Sequence, residues 1–205
     1  MAKQVKASQE PIVTEVSWSC DPYLVLISCM LSLRTKDETT RAASQRLFKV
    51  AKTPYKMVKL PLSRLQKIIY PVGFYRNKAR AILESSRSII NEYAGKVPDT
   101  LEDLLSLQGV GRKTANLVLG LGYGIPAVCV DTHVHRISNR LGWVKTKDPH
   151  QTEEALKKIV PKKYWIDLNN ELVTFGQNIC VPISPHCSIC YVRAMCKRAG
   201  VTRSR

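Results

Sequence analysis

The sequence predicts an all-α fold, and three observations carry that prediction. Apolar residues recur at helical spacing, as at Ala79, Ile82, Leu83, Ile89 and Ile90. Helix-start signals stand directly before apolar runs, Asp21-Pro22 ahead of Tyr23 to Leu33 being the clearest. Alternating Val/Ile/Thr stretches, the mark of a half-buried strand, are nearly absent.

The first helix follows the Asp21-Pro22 signal, a second is expected over Asp37 to Val50, and a short third over Leu62 to Ile69. The periodic stretch "RNKARAILESSRSIINEYAG" predicts a long helix that Gly95 ends. Asp99 or Thr100 caps the next helix, which closes near Leu107. Gly109 and Gly111 flank a turn, and the helix resumes at Arg112. Further helices fit Thr132 to Leu141, Gln151 to Ile159, and Tyr164 to about Cys180. No low-complexity segment, repeat of fixed period or linker interrupts this order.

A chain of 205 residues with 44% hydrophobic composition can bury a substantial core, in one domain or two small ones. Lys and Arg number 32 against 16 Asp and Glu, a formal net charge of +16. Such an excess predicts a polyanionic partner, nucleic acid ahead of membrane, because no apolar run is long enough to span a bilayer. A generally basic protein with no such partner is the alternative. The first twenty residues lack an apolar signal core, so an intracellular location is expected. That means cytoplasm or nucleoid in a prokaryote, and nucleus or mitochondrion in a eukaryote. The 7 cysteines are an odd number, crowded toward the C-terminus, which suits a reducing compartment and a metal site better than disulfides.

"LQGVGRKTANLVLG", Leu107 to Gly120, predicts two helices joined by a tight turn. Glycine tolerates positive φ and has no Cβ, so a phosphate can approach the backbone at Gly109 and Gly111. The following helix aims its first N–H groups outward, Arg112 adds charge, and Val110 is expected to brace the turn from inside. Such a hairpin grips nucleic-acid backbone without reading sequence. A plain helix C-cap with a short connection is the other reading.

Cys180, Cys187, Cys190 and Cys196 follow the spacing C-x6-C-x2-C-x5-C. Four thiolates so close in sequence can converge on one centre, and zinc and a [4Fe–4S] cluster both accept four cysteines. The spacing differs from the two short pairs of a zinc ribbon. Pro182 and Pro185 stiffen the first loop. Cys20, Cys29 and Cys129 have no such spacing, and Cys29 and Cys129, within apolar runs, read as core fillers.

Hairpin and cysteines together resemble the endonuclease III family of DNA glycosylases, in the helix-hairpin-helix superfamily with a Gly/Pro-rich loop and a downstream Asp. "LQGVGRKTAN" resembles the family's hairpin with its catalytic lysine, here Lys113, and "VDTHVHRISNRLGW" its catalytic-aspartate segment, here Asp131. "YPVGFYRNKA" and "LVTFGQNIC" are also similar to family segments, so the match runs from about Pro22 to Lys197. The resemblance implies a two-part helical fold with a DNA-binding groove between a six-helix bundle and a cluster domain. Residues 16–126 would form the bundle, ending in the hairpin, and 1–15 with 127–205 the domain holding a [4Fe–4S] cluster on the four cysteines. It implies double-stranded DNA carrying damaged pyrimidines or abasic sites as the partner, base removal followed by strand nicking, and a monomeric protein.

Only a neutral amine attacks a sugar carbon, and with an ordinary lysine pKa of ~10.4 few amines are neutral at pH 7. Lys113 falls in a first helical turn, where a cation is disfavoured, beside a second cation, Arg112. Asp131, at the start of a later helix, would be held ionised and could stabilise a cationic sugar. A direct ion pair with Lys113 would oppose attack, so separation or a bridging water is expected. Without the resemblance, Lys113 reads as a phosphate contact and Asp131 as an N-cap.

A base must leave the stack to be reached, and the vacancy must be filled. The resemblance aligns Arg34 and Phe74 with the void-filling positions, where many relatives have Gln and Leu. Arg34 could meet a guanine bidentately and Phe74 could wedge, or Phe74 is a core aromatic. The loop "VPISPH" between Cys180 and Cys187 lacks the basic residues relatives often place there, and Arg193, Lys197 and Arg198 either replace them or are solvated helix charges. His133 reads as support for the Asp131 loop and His135 has no assigned role. The competing functions are a monofunctional mismatch thymine, uracil or adenine glycosylase, and a non-enzymatic module that binds DNA backbone.

Overall fold

The structure, a computed structural model, describes residues 21–205, so the expectations for residues 1–15 and for Cys20 lie outside the described residues. Among the described residues every regular element is helical and none is a strand. They divide into two compact units, residues 21–125 and 126–205. No helix among them is long and apolar enough to cross a membrane.

The first unit is built around α1 (Pro22–Ser32), which Asp21 starts by accepting the N–H of Tyr23 at 2.9 Å. Val25, Leu26, Ile27 and Leu31 are wholly buried, and burial around nearly its full circumference makes α1 the core helix of the unit. The helices α2 (Asp37–Val50), α3 (Pro54–Met57), α4 (Leu62–Ile69) and α5 (Tyr75–Glu92) follow. α2 buries Thr40, Ala43, Ser44 and Leu47, one stripe of a 3.6-residue period. The one-turn α3, started by Pro54 and capped by the Thr53 hydroxyl, is absent from the sequence reading because four residues show no period. Gly95, at φ +81, closes the end of α5 by donating its N–H to the Ile89 carbonyl. Thr100, not Asp99, caps α6 (Leu101–Ser106), and α7 (Arg112–Leu117) runs on into a π-helical turn over Val118–Gly122.

The second unit packs α8 (Thr132–Leu141), α9 (Pro149–Ile159) and α10 (Trp165–Asn178) around Val128, Val130, Val134, Ile137, Leu172 and Phe175. α8 and α10 approach closely at Gly176, where a Cβ would stand 2.9 Å from Ile137 Cδ1 and 2.5 Å from His133 Nδ1. Short 3₁₀ turns at Cys187–Ile189 and Arg193–Met195 complete the C-terminal loop.

Candidate active site

Leu107 and Val110 anchor the predicted turn, both buried, and the Val110 N–H donates to the Leu107 carbonyl at 3.1 Å. The Ser85 hydroxyl ties the turn to α5 by donating to the Gln108 carbonyl at 2.6 Å. The two glycines differ in what they do. Gly109 sits at φ +80, and a Cβ there would meet Ala81 Cβ at 2.9 Å. Gly111 lies at φ −103, which any residue adopts, and serves as N-cap of α7 with open space around it. Its missing Cβ therefore leaves room for a close ligand rather than relieving strain. Gly109→Ala should lower stability by about 1–2 kcal/mol, seen as an earlier urea midpoint, because it forces an L-residue into the left-handed region. Gly111→Ala, a poorer N-cap but free of backbone strain, should move the midpoint less than Gly109→Ala and weaken duplex binding.

Arg112 and Lys113 occupy the first turn of α7, both half-buried. Burial pushes the Cys29 thiol of α1 up to about 12, and the charge of Lys113 opposes that shift. Cys29 is therefore a neutral core thiol, as expected, with Lys113 within electrostatic range of it.

Asp131 heads α8, its Oδ1 accepting the N–H groups of His133 at 2.8 Å and Val134 at 2.9 Å. The His133 ring packs on Gly176, and its Nδ1 meets Arg136 Nη2 at 3.1 Å. Arg136 also donates to the carbonyls of Gly176 and Cys180, so the aspartate-bearing turn and the start of the cysteine loop share one guanidinium. Burial, then the neighbouring Arg140, lowers the Arg136 pKa, while Cys180 and Asp131 oppose the shift. His135 points elsewhere: its Nδ1 pairs with the Thr152 hydroxyl at 2.7 Å, joining α8 to α9. This gives His135 a scaffold role.

Arg34 and Phe74 come together in the first unit. Both take left-handed backbone, φ 51 and φ 57, and the Arg34 guanidinium carbon lies 5.7 Å from the Phe74 ring centroid. Phe74 is 61% exposed, which excludes the core aromatic.

The four C-terminal cysteines line one cavity together with Ile137 and Phe175. No three His, Cys, Asp or Glu side chains among the described residues converge tightly enough to hold a single metal ion. Burial, and then the charges of Cys180, Cys187 and Cys196, push the Cys190 thiol up. Four thiolates there would need a cationic centre between them, and one shared cavity fits a group held by all four cysteines. The protein already donates toward the sulfurs: Arg140 Nη1 lies 3.5 Å from Cys180 Sγ, and the Arg198 N–H 3.4 Å from Cys196 Sγ. Arg140 also holds the carbonyls of Val181 and Pro182. Among the proposed substitutes for loop charges, Arg198 bonds Ser204 and the Lys197 stem covers Gly142.

Arg136, Arg140 and Lys78 are absent from the sequence reading. The two arginines carry a usable signal, since a spacing of four puts them on one face of α8. Lys78 carries none.

Two helices joined through a glycine turn with a basic exit are the defining unit of helix-hairpin-helix proteins, and fold and site place the chain in that class. A family model described as HhH-GPD superfamily base excision DNA repair protein matches residues 27–162. The endonuclease III of Thermotoga maritima is 52% identical across 86% of this chain and 83% of its own length. Two solved structures, a trapped covalent endonuclease III–DNA intermediate and a non-covalent endonuclease III–DNA complex, each match at TM-score 0.82 and 37% identity, over 87% of this chain and 84% of theirs. The chain belongs to the HhH-GPD superfamily of base excision DNA repair proteins and, within it, to the endonuclease III family of DNA glycosylases with abasic-site lyase activity.

Proposed function

We propose that the protein removes oxidised or otherwise damaged pyrimidines from duplex DNA and nicks the resulting abasic site by β-elimination, with Lys113 as nucleophile and Asp131 as its carboxylate partner. One observation carries the reading: Lys113 stands in the first turn of the helix that leaves the Gly109–Gly111 turn. The segment suited to holding a phosphodiester therefore also presents the amine.

Gly109, Val110, Gly111 and Arg112 hold the backbone beside the lesion, and Arg34 and Phe74 fill the place of the extruded nucleotide. The Lys113 amine bonds to C1′ as the C1′–N bond breaks, and the base departs with the electron pair and takes up the proton that the amine sheds. Asp131 stabilises the positive charge that develops on the sugar. Ring opening gives an iminium, loss of a C2′ proton expels the 3′ phosphate, and water releases the lysine. The protein acts as a monomer on DNA inside the cell.

Cys180, Cys187, Cys190 and Cys196 would hold a [4Fe–4S] cluster, which neutralises the four thiolates and cross-links the loop that Arg136 and Arg140 grip. Cys190→Ala should lose most of the iron and acid-labile sulfide of anaerobically purified protein. Stoichiometric zinc in place of both would overturn the assignment.

The lesion class is tested with duplexes that each carry one dihydrouracil, thymine glycol, uracil mismatch or abasic site, scoring free base and nicked strand separately. Release and nicking on the two damaged pyrimidines, with little on the mismatch, is the expected pattern. Base release confined to the mismatch, without nicking, would favour a monofunctional enzyme.

A further inference from the structure

We propose that Lys78 is a positioning residue that bolts the Arg34 and Phe74 turns into one composite probe of the base opposite the lesion. This rests on the reading that Arg34 and Phe74 occupy the void left by an extruded nucleotide.

Lys78 lies in the first turn of α5, where an ammonium gains nothing from its own helix. Its Nζ reaches instead to the end of α1, donating to the Leu31 carbonyl at 2.7 Å, the Leu33 carbonyl, and the Thr35 hydroxyl at 3.1 Å. α1 has no basic residue in its own last turn, so Lys78 supplies the cation that its carbonyls favour. An ammonium has three protons, and here there are three acceptors. Burial pushes the amine down to about 8, which still leaves it mostly charged at neutral pH.

Thr35 carries the connection onward. Its hydroxyl donates to the Leu33 carbonyl and accepts the Gly73 N–H at 3.1 Å. Gly73 touches the Arg34 turn so closely that a Cβ would stand 2.6 Å from the Arg34 carbonyl oxygen. Thus the residues flanking Arg34 and Phe74 on two separate turns are joined through one ammonium and one hydroxyl. Both probe residues hold left-handed backbone that L side chains adopt only at a cost, so the turns need such a restraint. Once fixed, the guanidinium lies over the phenyl ring, 5.7 Å from its centroid.

The proposal predicts that opposite-base discrimination belongs to Lys78 as much as to Arg34. The experiment measures kcat/KM on dihydrouracil duplexes with guanine or adenine opposite, for wild type, Arg34→Ala, Lys78→Met, Lys78→Arg and the double variant Arg34→Ala/Lys78→Met. Wild type should favour guanine by about tenfold, the worth of one bidentate contact. Arg34→Ala and Lys78→Met should each bring that ratio close to one, the double variant should add nothing, and Lys78→Arg should restore part of it. General loss of stability lowers both substrates together and leaves the ratio unmoved. A Lys78→Met enzyme that keeps the wild-type ratio, while Arg34→Ala loses it, overturns the proposal and spares the void reading. A ratio unchanged in Arg34→Ala, or near one in wild type, overturns both.

Discussion

Lys113→Gln should lose both base release and strand nicking on a damaged-pyrimidine duplex, by about a thousandfold or more in single-turnover rate. A thousandfold is about 4 kcal/mol of transition-state stabilisation, a reasonable share for a covalent nucleophile. Glutamine is close to lysine in length and helix propensity, so the first turn of α7 should persist. Gly111, Val110 and the Ser85 bond to Gln108 do not involve the substituted atoms, and the hairpin should still bind duplex. The variant should therefore bind without reacting, separating the nucleophile from a mere phosphate contact. A phosphate contact would weaken binding and leave the rate at saturating DNA nearly unchanged.

Asp131→Asn should cost about a hundredfold to ten-thousandfold in base release while leaving the fold intact. Both N-cap bonds go to Oδ1, an atom asparagine also has. Asparagine caps helices about as well as aspartate, so thermal or urea unfolding should change by no more than about 1 kcal/mol. What it lacks is the negative charge and the second carboxylate oxygen. An N-cap with no further duty would thus give an Asn variant of normal stability and normal activity. Asp131→Ala is less informative, because it removes cap and charge together. The stability measurement and the rate must be made on the same preparation, since only their divergence identifies the chemical role.

Much of this was legible in the sequence because the strongest signals are local. Asp21-Pro22, Thr100, Asp131 and Gly95 mark helix ends with short-range chemistry, and the structure places a cap or terminus at each. The four cysteines that the spacing singles out line one cavity. Identical letters still hid different duties. Gly109 and Gly111 look alike, yet only Gly109 has the positive φ, and only there would a Cβ be crowded. The rest was hidden because it depends on residues distant in the chain. Lys78 meets Leu31, Leu33 and Thr35 across more than forty residues, and no periodicity points from one to the others. Arg140 reaches the carbonyls of Val181 and Pro182 across a similar distance. The sequence leaves a core aromatic open beside the wedge at Phe74, since exposure is a property of the packed chain.

The most direct test is borohydride reduction of the wild-type protein mixed with a thymine-glycol duplex, followed by digestion and mass spectrometry of the cross-linked peptide. A deoxyribose remnant on the Lys113 side chain is the predicted result. A remnant on another residue, or efficient base release with no trapped species, would contradict the assignment of Lys113 as nucleophile.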